Sequence, residues 1–396
     1  MDFKLSEEQQ QLRDTLYRFV QKQYAFEKRR EILKSAQGYS DEIWRQLAEM
    51  GLTAIGIPED HGGLGGNGFD HHVVMEALGR GLVVEPYLAT VVLGAGTLAR
   101  AGNAQQKALL EKVASGELKL ALAHYEGNGR YELNHVATTA KRDGNGFKLN
   151  GTKTVVLHGD AADKLLVSAR TSGKERDASG VSLFLVDAKA PGVSRHGYPT
   201  HDGHRAAEIT LKDVAVGADA LIGTLDHGLP IVEQTIQAGI SALCAEAIGA
   251  MSALIEMTLA YIKTRKQFGV PIGTFQVLQH RMADMLMWAE QAKSMALLAA
   301  SKVASDDATE RRRAISAAKV LVGQAARYVG QQAVQLHGGI GVTDELAVSH
   351  YFKRLTLINA TFGDADHHLA RFSDQIAAEA SQSETHPSLM KARKVG

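Results

Sequence analysis

Apolar residues recur at every third or fourth position from residue 12 to residue 20. They follow Ser6-Glu7-Glu8-Gln9, a sequence typical of a helix N-terminus. The pattern predicts a helix to about residue 34, and similar patterns predict further helices, among them about 68–80 and 88–102. Residues 1–117 are therefore predicted to form an N-terminal helical domain.

Shorter runs of alternating apolar and polar residues follow, between about residues 118 and 226. Asp143-Gly144-Asn145-Gly146 and Asn150-Gly151 are turn sequences that favour β-hairpins. This region is predicted to be a compact antiparallel β domain, residues 118–226.

Long helical patterns return in the last third of the chain and predict a C-terminal bundle, residues 227–380. Its predicted helices are Gly228–Arg265, a helix capped by Thr274 that runs to about 304, 308–337, and 364–380. The polar segment 381–396 is predicted to be a flexible tail. The fold class is thus mainly α with a middle antiparallel β domain. The lack of a strand–GxGxxG–helix unit argues against a Rossmann oxidoreductase.

Composition adds little to this picture, but it excludes some functions. The 396 residues include 44 Lys+Arg and 44 Asp+Glu, a balance that gives no support for binding nucleic acid. No run approaches 18 uninterrupted apolar residues, and the N-terminus has no apolar signal core, so we predict a cytoplasmic protein. The single cysteine, Cys244, lies in an apolar run and is predicted to be a buried hydrophobic residue.

Two segments could carry chemistry. The first is Thr264-Arg265-Lys266-Gln267-Phe268-Gly269, at the end of a predicted helix. Its cations could merely offset the negative end of the helix dipole. A guanidinium can also pair with a pyrophosphate, and the nearby Phe268 could cover a flat heterocycle.

The second segment is Gln335-Leu336-His337-Gly338-Gly339, with a further glycine at position 341. Gly338 could simply end a helix. The adjacent glycines could also bring backbone amides close to a phosphate or a ring.

Together, TRKQFGVPIGTFQ and QLHGGIG resemble the signature pair of the acyl-CoA dehydrogenase family. The PEDHGGLGG loop and the order of helices, β domain and bundle agree with that resemblance. It implies the acyl-CoA dehydrogenase fold, with a C-terminal four-helix bundle, and FAD as cofactor. The residues it implies as contacts to the ADP part of FAD are Arg265, Lys266, Gln267, Phe268, Phe275, Gln276, Gln335, Gly338 and Gly339.

The chain departs from the family pattern where the flavin ring and the substrate would lie. The family's T-E-P-x-x-G-S-D stretch corresponds to residues 124–133, and its W-I-T/S strand corresponds to 155–158. The two usual positions of the catalytic glutamate fall on Phe362 and Gly239, and neither is an acid. Substitute bases could be Asp364, Asp366 and Glu126, the acidic candidates closest to these regions.

Three interpretations remain open. The chain resembles most the non-catalytic small subunit of two-subunit enzymes, which completes the FAD site of a larger catalytic subunit in an α2β2 heterotetramer. It could instead be a self-sufficient homo-oligomer with a relocated base, or a flavin-free CoA-binding or assembly module. The resemblance implies an acyl-CoA substrate, such as a fatty-acid or steroid side-chain thioester, and an electron-transfer flavoprotein as acceptor.

We predict no metal site. The Asp364-Ala365-Asp366-His367-His368 run fits no standard zinc spacing, and Asp364 is better placed to cap the last helix. The histidines at 71, 72, 201 and 204 are predicted to lie at the surface, and residues 310–313 to form a solvated helix face.

Overall fold

The computed structural model describes residues 5–384. Most of the predicted tail, residues 385–396, lies outside the described residues. The prediction for 381–384 was wrong, because the last helix continues to Glu384. Within the described residues, the predicted order of helices, mostly antiparallel sheet and helical bundle is confirmed.

The N-terminal region is built from short helices packed around a common apolar core. The capping box is confirmed, since the Ser6 side chain accepts from the amide of Gln9, whose side chain accepts from the amide of Ser6. A predicted helix over 88–102 is instead a π-helical segment, Leu88–Ala95, continued by α5. The helices are α1 (Glu7–Gln23), α2 (Phe26–Leu33), α3 (Asp41–Glu49), α4 (Gly68–Gly81), α5 (Gly96–Ala101), α6 (Ala104–Lys107) and α7 (Leu110–Ala114).

The middle region is an eight-stranded sheet. Its strands are β1 (Leu120–Ala123), β2 (Thr139–Asp143), β3 (Gly146–Leu157), β4 (Lys164–Arg170), β5 (Val181–Asp187), β6 (Val193–Pro199), β7 (Arg205–Val216) and β8 (Leu221–Ile222). The order is β6-β7-β3-β2-β4-β5-β8, and β1 lies parallel to β4. The other pairs are antiparallel apart from one parallel bridge between β2 and β4.

One of the two predicted hairpin turns is wrong. The turn at residues 143–146 joins β2 and β3 as predicted. Asn150-Gly151, however, lies inside β3 at an irregularity in its pairing with β7. Gly151 has a φ of 152°, and a Cβ there would collide with Thr138. Glycine is therefore needed for a bulge and a close contact, not for a reversal of the chain.

The C-terminal region consists of long helices: α8 (Gly228–Thr264), α9 (Gln276–Lys302), α10 (Ala308–His337), α11 (Ala347–Ala360) and α12 (Ala365–Glu384). A two-residue hairpin, β9 (Lys266–Gln267) and β10 (Val270–Pro271), separates α8 from α9. The N-cap of α9 is Phe275, not Thr274, whose hydroxyl donates to Pro271. The sequence pattern did not reveal α11.

Helix α8 is the centre of the bundle. It has the length and apolarity of a membrane span, but 83% of its most apolar window is buried in the protein, as expected for a core helix. Cys244 is fully buried there, as predicted. Helices α4 and α8 approach closely, because a Cβ at Gly79 or Gly249 would overlap the backbone carbonyl of Glu246 or Glu76. These contacts couple the first region directly to the bundle.

Candidate functional site

The β9–β10 hairpin projects from the end of α8 into solvent. Its turn residues Phe268 and Gly269 have φ values of 53° and 82°, and the Phe268 side chain is 91% exposed. A bulky residue in the left-handed region with an exposed ring is costly for an isolated chain. Its geometry therefore suits a surface that another molecule covers.

The second sequence motif, residues 335–339, lies beside the end of α8, and an aromatic contact joins the two. The rings of Tyr261 and His337 stack with centroids 4.3 Å apart, so the ends of α8 and α10 lie side by side. Arg265 follows one helical turn after Tyr261, and Gly338 comes directly after His337. We call the nine residues 265–268, 275, 276, 335, 338 and 339 the bundle corner.

The bundle corner is open and largely without internal partners. All nine residues are exposed. Among the described residues, no hydrogen bond or ion pair engages the guanidinium of Arg265. Nothing lies within 4 Å of a Cβ built at Gly338 or Gly339. A free guanidinium, accessible glycine backbone and an exposed ring are groups that can hold the ADP part of FAD.

A separate cavity of about 340 Å³ lies between the N-terminal helices, the sheet and the bundle. Helix α4 and the π-helical segment form one wall, and the end of β3 and the β6–β7 turn form another. Helices α8 and α11 close it, together with Tyr125 and Phe362. The loop carrying Gly127 and Arg130 lies at its edge, and both residues are exposed.

Phe362 occupies the position at which the family resemblance implies a catalytic glutamate. It adopts a φ of 62°, and its ring stacks on Tyr125 with centroids 6.1 Å apart and planes at 20°. A Cβ at Gly239, the other usual position, would touch the Phe362 ring. Positions 239 and 362 are therefore adjacent in the fold, and the stacked rings of Tyr125 and Phe362 fill the space between them.

The substitute bases proposed from the sequence are not free to act in the cavity. The Asp364 side chain accepts from the amide of His367 and caps α12. Asp366 is exposed in the first turn of that helix. Neither aspartate lines the cavity, whereas Glu126 does.

Glu126 is held in a buried polar network. Lys153 Nζ lies 2.6 Å from the Glu126 carboxylate and also donates to Ser168. The amides of Ala137 and Thr138 donate to the same carboxylate. Burial alone would raise the pKa of Glu126, but these partners, chiefly Lys153, bring it below its usual value.

This network lies in the segment that would contact a flavin ring in the family. Glu126 and Lys153 are saturated by each other and by nearby groups. Val155, two residues after Lys153 on β3, has a φ of 52°. The residues of this chain thus fit the ADP part of FAD at the bundle corner. They do not fit the ring part at the chain's own sheet.

Several charged groups at the cavity were not singled out from the sequence. Arg354 donates to Glu246 at 2.5 and 2.7 Å and to Asp202 at 2.8 Å. These residues come from α11, α8 and the β6–β7 turn, so no local motif links them. Glu85, before the π-helical segment, accepts from the hydroxyl of Tyr24. Burial raises the pKa of Glu85 to about 7, although hydrogen bonds counteract it.

Two predictions about surface polarity were wrong in part. His201 is exposed, as predicted. His72 is buried on α4, and Nε2 of His204 is buried beside the cavity, because tertiary packing covers segments that looked polar. Arg311 is also buried and donates to Gln237, so residues 310–313 are not a uniformly solvated face. Within residues 5–384, no three His, Cys, Asp or Glu side chains are grouped as metal ligands.

Comparison with known proteins assigns the family. The chain matches the acyl-CoA dehydrogenase N-terminal domain over residues 6–117, the middle domain over 121–214 and the C-terminal domain over 226–377. It is 31% identical to the probable acyl-CoA dehydrogenase YngJ of Bacillus subtilis, covering 92% of this chain and 97% of the relative.

Solved structures agree. The ChsE4-ChsE5 complex from Mycobacterium tuberculosis contains a chain with a TM-score of 0.86 and 30% identity, covering 95% of this chain and 99% of that one. Butyryl-CoA dehydrogenase from Megasphaera elsdenii gives a TM-score of 0.88 and 26% identity, with coverages of 95% and 100%. This chain therefore belongs to the acyl-CoA dehydrogenase family of FAD-dependent oxidoreductases acting on CH–CH bonds.

Proposed function

We propose that this chain is the non-catalytic small subunit of a two-subunit acyl-CoA dehydrogenase. In this assembly the bundle corner binds the ADP part of an FAD held mainly by a larger, catalytic subunit. The observation that carries the proposal is the contrast between an open bundle corner and a cavity whose usual base positions hold the stacked Phe362 ring. The similarity to a chain of the ChsE4-ChsE5 complex supports it.

The division of labour follows from the chemistry. The α proton of a thioester is weakly acidic, so desaturation needs a positioned base, and FAD supplies the acceptor for the hydride that leaves the β carbon. Neither usual base position of this chain is an acid. Its contribution is then to bind and orient the nucleotide end of the cofactor, with Arg265 pairing with the pyrophosphate.

The test is an Arg265→Ala variant, co-purified with the product of an adjacent dehydrogenase gene. A charge-assisted hydrogen bond contributes roughly 1.5–3 kcal/mol. Flavin should therefore bind about ten- to a hundredfold more weakly, measured by visible absorbance and flavin-to-protein ratio. The fold and the subunit ratio should be retained, because the Arg265 side chain has no partner to lose within residues 5–384.

Arg45→Ala is the matched control, since it removes an exposed arginine from α3, which is not part of the bundle corner. It should leave the flavin content unchanged. Unchanged flavin occupancy in Arg265→Ala would contradict the proposal. So would a yellow, fully active protein that contains this polypeptide alone.

Glu85 gives specific support to a second candidate function, a homo-oligomeric dehydrogenase with a relocated base. Glu85 lines the cavity. A general base works best when its pKa lies near the working pH, and the pKa of Glu85 is about 7. This alternative requires turnover without a partner and its loss in Glu85→Gln. A complex and an isolated chain that both lack flavin would instead support the CoA-binding or assembly module.

An acyl-CoA substrate for the complex, an electron-transfer flavoprotein as its acceptor and a cytoplasmic location are predictions from the family resemblance. Turnover of the reconstituted complex with a series of acyl-CoA thioesters, with and without that acceptor, would test the first two.

A further inference from the structure

Two buried histidine nitrogens at the cavity have no hydrogen-bond partner among the described residues. His158 is 5% exposed, and its Nδ1 has no hydrogen-bond partner. Nε2 of His204 is also buried and unpaired, and the two rings lie 6.2 Å apart. Both residues line the cavity. Buried polar atoms are nearly always satisfied, so two unpaired nitrogens at one cavity wall indicate a missing polar partner.

Both imidazoles are neutral near pH 7. Burial lowers the pKa of His158 to about 4. Burial, and then the charge of Arg354, lowers the pKa of His204 well below its usual value. A neutral imidazole has one donor and one acceptor nitrogen. The pair can thus donate to a carbonyl oxygen, or donate to and accept from a hydroxyl group.

Among the described residues, the arginines beside the two histidines are already paired with carboxylates. Arg354 is paired with both Asp202 and Glu246. Arg205 is paired with Asp160 at 2.6 Å. Glu126 is paired with Lys153, and Glu85 would repel an anion when it is ionised. A cation would meet Arg354 and Arg205, and an unpaired buried charge of either sign is costly.

The rest of the cavity lining is largely apolar. It includes Met75, Leu78, Leu88 and Leu243, from α4, the π-helical segment and α8. The volume of about 340 Å³ lies within the usual range for small-molecule sites, roughly 300–1,000 Å³. A largely apolar molecule with a small polar group is the ligand that fits this lining.

We propose that this cavity binds a neutral, largely apolar molecule that carries a hydroxyl or carbonyl group, which His158 and His204 hydrogen-bond. The ligand could be a free oxygenated hydrocarbon or the oxygenated acyl chain of a thioester, since both have the same chemistry at this end. The inference does not depend on the small-subunit proposal, because it concerns the chain's own cavity and not the bundle corner.

The experiment measures binding to the full-length chain by isothermal titration calorimetry at pH 7.5. The probes are 1-octanol, octanoate and octylamine, which share a chain and differ in the charge of the end group. We expect saturable binding of octanol and at least about tenfold weaker binding of both charged probes, because burying an unpaired charge is costly. Equal or tighter binding of octanoate, or no saturable binding of octanol, would overturn the proposal.

Two variants test the histidines. His204→Phe and His158→Phe each remove one hydrogen-bonding ring, and should weaken octanol binding about three- to tenfold. His158 has a φ of 50°, so His158→Phe could fail to fold. In that case His204→Phe alone tests the proposal. His196→Phe, at an exposed position on β6, is the control and should bind as the wild type does. Unchanged affinity in His204→Phe would refute the assignment.

The source of the ligand is resolved by a parallel titration with 8-hydroxyoctanoyl-CoA and octanoyl-CoA. Tighter binding of the hydroxylated thioester, lost in His204→Phe, identifies an acyl chain as the occupant. Binding of octanol but of neither thioester identifies a free molecule. Equal affinity for both thioesters, unaffected by His204→Phe, would count against a polar role for the histidines. Flavin content enters none of these readouts, so they can fail independently of the Arg265 experiment.

Discussion

Replacing Glu85 with glutamine should change the pH dependence of stability in a defined direction. Glu85 is 4% exposed and has no cationic partner in the described part of the chain. Its pKa rises from 4.5 to about 7 on folding because burial disfavours the charged form. A raised carboxyl pKa stabilises the folded state below the unfolded pKa. That contribution is lost as the pH rises from about 4.5 to about 7.

The magnitude follows from the shift. One pKa unit corresponds to about 1.4 kcal/mol, so the wild type should lose about 2.5 kcal/mol of this contribution between pH 5 and pH 8. Glutamine does not titrate. The Tyr24 hydroxyl accepts from the amide of Val84 and donates to the Glu85 carboxylate. Glu85→Gln loses this second hydrogen bond, at a cost of about 1 kcal/mol. Glu85→Gln should thus be slightly less stable than the wild type at pH 5 and more stable by about 1–2 kcal/mol at pH 8.

Urea unfolding of both proteins at the two pH values measures this difference. Glu49→Gln, at an exposed position on α3, is the control and should show no comparable change with pH. The reasoning would be refuted if the stability difference between Glu85→Gln and the wild type were the same at pH 5 and pH 8. That result would mean that Glu85 is already ionised in the folded protein at pH 5.

Three further substitutions test other parts of the site. Arg354→Met should cost roughly 3–5 kcal/mol in urea unfolding, because it leaves Glu246 and Asp202 buried without their cation; a loss below about 1 kcal/mol would show that the pair is solvated. Lys153→Met should lower the melting temperature, because it leaves the buried carboxylate of Glu126 without its ammonium partner. An unchanged melting temperature would contradict a stabilising Glu126–Lys153 pair. Phe362→Glu should give no dehydrogenase activity in the isolated chain, because the flavin-ring contacts are also missing; robust turnover in an acyl-CoA assay would contradict this.

Local sequence signals predicted the parts of the structure that depend on neighbouring residues. The Ser6 cap, the turn at residues 143–146 and the helix end at Gly338 each involve groups a few positions apart. Their hydrogen bonds are dictated by residue type and spacing, so they could be read without tertiary information.

The cavity could not be predicted in this way. Glu85, Asp202, Glu246 and Arg354 lie in four distant segments, and each looks like an ordinary surface charge in its own surroundings. Only tertiary packing buries them together. The turn predicted at Asn150-Gly151 was wrong for the same reason. The dipeptide is typical of a chain reversal, but Gly151 packs against Thr138 and forms a bulge within β3. The aromatic stack over the missing base likewise required the fold to bring Tyr125 and Phe362 together.

The tight crossing of α4 over α8 has a consequence for how this protein can diverge. Gly79 faces the backbone of Glu246, whose carboxylate anchors Arg354. Any side chain at position 79 must move α8 outward at that turn, and the anchored guanidinium would move with it. A substitution at Gly79, which does not line the cavity, could therefore change ligand preference by altering the spacing between α4 and α8.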